Sequence, residues 1–218
     1  MSYQNRKLIF ELKKNGYLKS KELEQVLLDL PREKFVPGNV RQFAYQDIPL
    51  SIGKRQTISQ PATVVIMTEA LDVKKTDKIL EIGTGSGWQG AILAKLTKKN
   101  VYSIERIPEL VKFAKSNLEQ FPEIKNLRII EGDGSKGLKK YAPFDKIIVT
   151  AAAPEIPKTL IEQLKVGGKM VIPVGDYFSQ EMFVVTRKSK TKTIKRRIGY
   201  FRFVPLLGKY GFKTKLDS

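Results

Sequence analysis

Lys78-Ile-Leu-Glu-Ile-Gly-Thr-Gly-Ser-Gly-Trp88 sets a short apolar run against three glycines at alternate positions, Gly83, Gly85 and Gly87. The run reads as a strand that turns sharply into a helix, because glycine accepts the backbone conformations of so tight a corner without steric cost. Outward from that corner the chain alternates. Strands are predicted at Lys78–Ile82, Val101–Glu105, Leu127–Ile130, Lys146–Thr150 and Lys169–Pro173, and helices at Trp88–Leu96, Pro108–Phe121 and Pro157–Leu164. Proline heads the last two helices, where its missing N–H leaves no hydrogen bond unmade. Such alternation builds a doubly wound α/β sheet, mostly parallel. Past Gly175 the pattern turns to period two around a basic KSKTK turn, so an antiparallel C-terminal hairpin is expected to finish the sheet.

Upstream, Leu8, Ile9 and Leu12 share one face before Asn15-Gly16, and Leu23, Val26, Leu27 and Leu30 follow a Ser20 cap, which predicts two short helices ended by Pro31. From Phe35 to Pro61 the periodicity gives way to Pro, Gly and isolated aromatics. That texture predicts an ordered loop layer rather than a helix or regular sheet, and Pro61 then opens a helix running to about Leu71. Two units follow: residues 1–60, an N-terminal helical and loop subdomain, and residues 61–218, the α/β domain with its hairpin.

The 218 residues suit one main core, and 41% apolar with 28% charged residues describes a folding chain. Its surface is basic, with a formal charge of +18. The sequence has no Cys and no His, which excludes disulfide scaffolds, Cys/His zinc sites, Ser-His-Asp triads and histidine bases. No metal is expected. No apolar run approaches the roughly 20 residues that cross a bilayer, and the polar start MSYQNRK lacks a signal-peptide core, so a cytoplasmic protein without membrane association is expected.

The glycine corner falls at the carboxyl end of a strand, where open α/β sheets bind their ligands. A dinucleotide fingerprint would place its third glycine at position 88, which is Trp88, and no G-K-[ST] follows for a triphosphate loop. Glu105 ends the next strand, 22 residues after Gly83, where a carboxylate can accept both ribose hydroxyls. After the third strand come Glu131-Gly132-Asp133-Gly134, an acid able to accept from an exocyclic amine beside glycines that admit a flat ring. Three such signals in register point to an adenosine-containing ligand without phosphates. S-adenosyl-L-methionine is the natural candidate. Two readings of Glu81 stay open, a contact to the turn and the cofactor's amino group or a hydrogen-bonded structural carboxylate, while Trp88 and Tyr102 read as packing residues.

At this point the sequence resembles the protein-L-isoaspartate O-methyltransferase family, whose members methylate isoaspartyl residues in damaged proteins. The resemblance is carried by PREKFVP (31–37), AYQDIPLSIG (44–53), QTISQP (56–61), MTEAL (67–71), LEIGTGSGWQ (80–89), VYSIE (101–105), EGDG (131–134), PFDKIIVTAA (143–152), IPKTLIEQLKVGG (156–168), IPVG (172–175) and FVPL (203–206). The glycine turn marks Rossmann-like class I methyltransferases generally. QTISQP and the AYxDxPLxIG segment are specific to this family. The resemblance implies that Thr57, Ile58, Ser59 and Gln60 line the active site, with Ser59 as the catalytic serine and Thr57 beside it. It implies cofactor contacts from Gly83, Thr84, Gly85, Glu105 and Arg106 at the methionine and ribose, and from Gly132 and Asp133 at the adenine. Ile58, Gln60 and Glu81 are counted with the cofactor contacts, and Val204-Pro205-Leu206 would frame the substrate peptide. One departure is visible, since the family's usual glycine before QT is replaced by Arg55 after Lys54.

Methylating a carboxylate requires no general base, because the oxygen is already ionised at neutral pH, so a His-free and Cys-free chain is suited to it. Isoaspartyl proteins and peptides are the expected partners. The alternative for QTISQP is a helix cap at Pro61, for which Ser59 and Thr57 are suitable types. The alternative for the whole chain is a class I methyltransferase acting on RNA, favoured by the charge and by seven basic residues among the eleven from Arg187 to Arg197. Against it stand the missing nucleophilic Cys, the absence of an Asn/Asp-Pro-Pro-aromatic sequence at Thr150–Pro154, and the lack of an RNA-binding module; nucleic acid is therefore not the expected partner.

Overall fold

Both leading helices begin on the serines the sequence supplies. In α1 (Tyr3–Lys14) the Asn5 N–H donates to the Ser2 hydroxyl at 3.2 Å, and in α2 (Lys21–Asp29) the Leu23 N–H donates to the Ser20 hydroxyl at 3.2 Å. The structure, a computed structural model, describes residues 2–213; Met1 and the last five positions of the expected 61–218 unit lie outside the described residues.

The segment between Phe35 and Pro61 corrects the expectation of a layer without regular sheet. After short 3-10 turns at Arg32–Phe35 and Gly38–Phe43, strands β1 (Leu50–Gly53) and β2 (Gln56–Ile58) pair antiparallel, with Gly53 opposite Gln56. Lys54 and Arg55 form the two-residue turn, both at positive φ (51° and 57°). Neither residue is among the usual turn formers for that geometry, so nothing local announced the hairpin. Lys54 pairs at the surface with Glu109.

Helix α3 (Pro61–Leu71) is buried on almost every side, as a helix sandwiched between two layers must be. Its first half packs with the N-terminal helices and its end with the sheet: Ala62, Val64 and Val65 join Leu8, Leu27 and Phe35 in one cluster, and Met67 and Leu71 join Ile79 and Ile148 in another.

The rest is the expected alternation: β3 (Ile79–Ile82), α4 (Trp88–Leu96), β4 (Val101–Glu105), α5 (Pro108–Leu118), β5 (Leu127–Glu131), β6 (Phe144–Val149), α6 (Lys158–Gln163), β7 (Leu164–Gly175), β8 (Gln180–Arg187) and β9 (Thr193–Phe201). They form one seven-stranded sheet in the order β5-β4-β3-β6-β7-β8-β9, parallel from β5 to β7 and antiparallel in its last two pairings. Several boundaries differ from expectation by one or two residues, β6 among them, which spans Phe144–Val149 and not Lys146–Thr150, and two differences have a visible cause. Helix α5 stops at Leu118 and not Phe121, because Phe121 turns back to stack on Phe35 with ring centroids 5.3 Å apart. Helix α6 stops at Gln163, and Leu164 already lies buried opposite Phe144 in a strand longer than the expected Lys169–Pro173. Because β3 is flanked by β4 on one side and β6 on the other, the strand order reverses there, and a crevice opens beyond the carboxyl ends of these strands.

Candidate active site

The glycine corner leaves β3 into that crevice. Gly83 sits at φ +95°, and a Cβ built on it would lie 2.4 Å from the Thr150 hydroxyl oxygen, so the chain end of β6 could not approach if any other residue stood there. Thr150 uses the closeness, donating its hydroxyl to the Gly83 carbonyl at 2.7 Å. Trp88 opens α4 facing the interior and donates its ring N–H to the Leu30 carbonyl at 3.0 Å; Tyr102 is buried against Tyr141 and Phe144. Both are packing residues.

Glu105, buried at the end of β4, is held from two sides. One carboxylate oxygen accepts the Gly85 N–H and the other the Ile107 N–H, each at 3.0 Å. A carboxylate oxygen carries two lone-pair sites, so each keeps one for a ligand hydroxyl. Gly83, Gly85, Glu105 and Arg106 line one cleft together with Ile82, Ile104, Leu110, Thr150 and, from the N-terminal layer, Gln56 and Thr57. The cleft opens to solvent along one side, with about 660 Å³ between its walls when the open mouth is counted.

Glu81 stands elsewhere. It is fully buried inside β3 and does not line that cleft; the Ser103 hydroxyl donates to its Oε2 at 2.5 Å, and the Thr84 hydroxyl lies 2.5 Å from that of Ser103. The structure therefore favours the structural reading of Glu81, which supports the glycine corner from beneath through Ser103 and Thr84. Burial pushes its carboxyl up to about 8, against the lowering effect of the Ser103 bond and with the help of the nearby Glu105 charge. Thr84 itself is buried at the wall of a narrow neighbouring cleft.

Asp133 is also engaged within the protein. Its Oδ1 accepts from the Ser135 N–H (2.9 Å) and hydroxyl (2.6 Å), and its Oδ2 from the Lys209 N–H (2.9 Å). Burial alone would raise its carboxyl, but these bonds prevail and hold it below the ordinary value. Gly132 and Asp133 line a second opening, which shares Arg106 and Leu207 with the main cleft.

On the other side of the cleft, Thr57 is exposed and borders three spaces at once: the main cleft, the narrow one, and a broad groove. Ser59, half-buried, faces the latter two, and among the described residues its hydroxyl has no hydrogen-bond partner. It does not cap α3. That cap comes from Asp47, whose carboxylate accepts the Ala62 N–H at 2.8 Å and the Gln60 side-chain amide at 3.0 Å. Ile58 is buried beneath, at the wall of the narrow cleft. Leu206 N–H and Val204 carbonyl bond the two sides of Ala152, which sets Val204 between cleft and groove and leaves Pro205 and Leu206 on the cleft side. The groove continues past Thr63, Tyr17, Phe178, Tyr200 and Arg202.

Sequence reasoning missed three contributors. Thr150 borders the same three spaces as Thr57. Asp47 fixes Gln60 and the helix start. Arg32, fully buried, donates from its guanidinium to the carbonyls of Ala44 (2.9 Å), Gln46 (3.4 Å), Ile48 (2.8 Å) and Ser59 (3.0 Å), and lies over the Trp88 ring. Desolvation lowers it to about 10, partly offset by Asp47, so it remains charged at neutral pH. Arg32 lies in the PREKFVP segment, where nothing local set it apart from the neighbouring charges Glu33 and Lys34.

An α/β sheet with a glycine corner at its switch point, a ribose-ready carboxylate one strand away and no phosphate-binding lysine defines a Rossmann-like methyltransferase. The model of the family Protein-L-isoaspartate(D-aspartate) O-methyltransferase (PCMT) matches residues 3–211, and the chain belongs to that family. Protein-L-isoaspartate O-methyltransferases of Staphylothermus marinus and Pyrococcus horikoshii are 48% and 49% identical over 217 and 203 residues, covering 96% and 93% of this chain and 96% and 92% of theirs. A Plasmodium falciparum chain assigned to the same enzyme and solved with S-adenosyl-L-homocysteine superposes with a TM-score of 0.83 at 27% identity, over 93% of this chain and 98% of that one. The enzyme's cofactor is S-adenosyl-L-methionine, which the free lone pairs of Glu105 and the Gly83–Gly85 corner fit. Among the described residues no helix is long and apolar enough to cross a membrane, and no group of His, Cys, Asp or Glu could hold a metal ion.

Proposed function

We propose that Ser59 and Thr57 orient the side-chain carboxylate of an isoaspartyl residue for methylation, with Glu105, Gly83, Thr84, Gly85 and Arg106 arranged around the cofactor. The bound cofactor supplies an electrophilic methyl group. The observation that carries the reading is the position of Thr57 and Ser59 at the junction of cleft and groove, with the Ser59 hydroxyl uncommitted. One carboxylate oxygen would attack the methyl carbon while the other accepts from a hydroxyl donor; the methyl–sulfur bond would break with its electron pair left on sulfur, giving a neutral ester and a neutral thioether, and no base is consumed because the nucleophile arrives ionised. Holding the two reactants in line is worth up to about 7–11 kcal/mol of the barrier. Val204 bounds both spaces and would separate the peptide from the cofactor. Asp133 and Gly132 bear on the adenine through the second opening, where Asp133 also anchors the segment at Lys209. Residues 1–60 would act as the substrate-facing layer and 61–218 as the cofactor-binding domain, in a cytoplasmic protein.

The test offers radiolabelled S-adenosyl-L-methionine with an isoaspartyl peptide, its aspartyl twin, a D-aspartyl peptide and bulk RNA. Base-labile label on the isoaspartyl peptide and not on its aspartyl twin is expected. Label on RNA alone would overturn the reading.

A further inference from the structure

Strand β9 is the last of the sheet order, so the backbone groups along its outer side face away from β8, with no neighbouring strand among the described residues. It carries three consecutive cations, Lys195, Arg196 and Arg197, and no acid. Lys195 and Arg197 stand opposite Val185 and Phe183 on one face, Arg196 opposite Val184 on the other, and Lys188, Lys190 and Lys192 crowd the turn that begins it. Of these, Arg197 pairs with Glu181; among the described residues Lys188, Lys190, Lys192, Lys195 and Arg196 have no ion-pair partner. The strand does not end in empty surface. Tyr200, Phe201 and Arg202 at its far end line the groove that holds Ser59 and Thr57.

We propose that this edge is a docking track for an acidic, extended segment of the substrate polypeptide, lying beside β9 while the isoaspartyl residue occupies the groove. The proposal rests on the reading of the groove as the substrate site. An added strand would satisfy the outer backbone groups of β9. Its side chains would alternate between the two faces, so successive acids meet Lys195 and Arg197 on one side and Arg196 on the other. From Arg202 to Lys195 is seven residues, about 23 Å of strand, which places the acids roughly five to nine residues from the isoaspartyl position. A polypeptide fits better than a nucleic acid because the cations are strung along a single strand whose own backbone offers evenly spaced donors and acceptors.

Fluorescein-labelled isoaspartyl peptides of about twenty residues test this. One carries four Glu five to nine positions before the isoaspartyl residue, one carries them after it, and one has Gln at both places. Anisotropy reads binding, and methyl transfer on the same peptides is measured in parallel. At low salt, one Glu peptide should bind and be methylated with about tenfold advantage over the Gln peptide, fading by 0.5 M salt as surface charge is screened. In the double variant Lys195→Gln/Arg196→Gln the ratio should fall toward one. Equal behaviour of all three peptides overturns the proposal, as does an advantage the variant keeps. So does tight single-stranded RNA binding by this strand without discrimination among the peptides. Should no isoaspartyl peptide be methylated at all, the function reading fails, while the binding ratio still decides the track.

Discussion

Ser59 is a small hydroxyl with a free hydrogen-bonding capacity, and its backbone is fixed where its side chain is not: the carbonyl accepts from Arg32 at 3.0 Å. The two residues make separable predictions. Ser59→Ala should lower kcat by about a hundredfold or more with cofactor affinity and the melting curve nearly unchanged, because a positioned donor acts on the reacting geometry. A destabilised but fully active variant would make Ser59 structural. Arg32→Lys keeps the charge but cannot reach four carbonyls at once from one point, so about 2–4 kcal/mol of stability should be lost in a urea titration. Where the variant remains folded, turnover should fall while KM for the cofactor holds, since the guanidinium bonds the Ser59 carbonyl and makes no hydrogen bond to Gly83, Gly85 or Glu105. Unchanged stability would show that water satisfies those carbonyls equally well. Glu105 was legible in the sequence because a strand end and its spacing from Gly83 are one-dimensional facts. Arg32 was not: its four partners lie 12 to 27 residues away and meet only when the layer folds.

The element least visible in the sequence is the β1–β2 hairpin. A two-residue hairpin turn of this hand favours Asn-Gly or Asp-Gly, and here the positions hold Lys54 and Arg55 at φ 51° and 57°. L-residues other than glycine occupy that region at a cost of about 1–2 kcal/mol each, compensated by packing of Ile52 and Ile58 into the core. Arg55→Gly relieves the strain but loosens the unfolded chain, so the net stabilisation should be about 0.5–1 kcal/mol. Denaturant midpoints of the two proteins at equal slope measure it. A lower midpoint would mean that the Arg55 side chain itself holds the hairpin. The sheet strands were readable for the opposite reason: β3, β4 and β6 are almost wholly buried, and a parallel strand covered on both faces leaves a mostly apolar run, broken here only by a few polar residues such as Glu81 and Ser103, that needs no partner to be recognised.

Across the whole molecule, stability should depend on pH in two opposed ways. Asp133 and Asp145 are held below their ordinary values in the fold, mainly by hydrogen bonds and neighbouring lysines that overcome their desolvation, so their contribution is present above about pH 4 and is lost as acid protonates them. Glu81 works the other way. Its carboxyl moves from 4.5 to about 8 on folding, so the folded state holds a proton that the unfolded chain has released. Whatever stability that neutral carboxyl supports is complete below pH 4.5 and is lost as pH rises toward 8, at a limiting slope of about 1.4 kcal/mol per pH unit. Its Oε1 has no hydrogen-bond partner among the described residues, so the ionised form would leave a charge stranded beneath the glycine corner. Glu81→Gln is close in shape, retains an acceptor for the Ser103 hydroxyl and cannot ionise. Urea titrations of both proteins at pH 5.5, 6.5 and 7.5 should therefore show the variant gaining on the parent with each step, approaching that slope. Parallel curves would mean that Glu81 stays ionised in the fold, with the glycine corner and Ser103 compensating a buried negative charge.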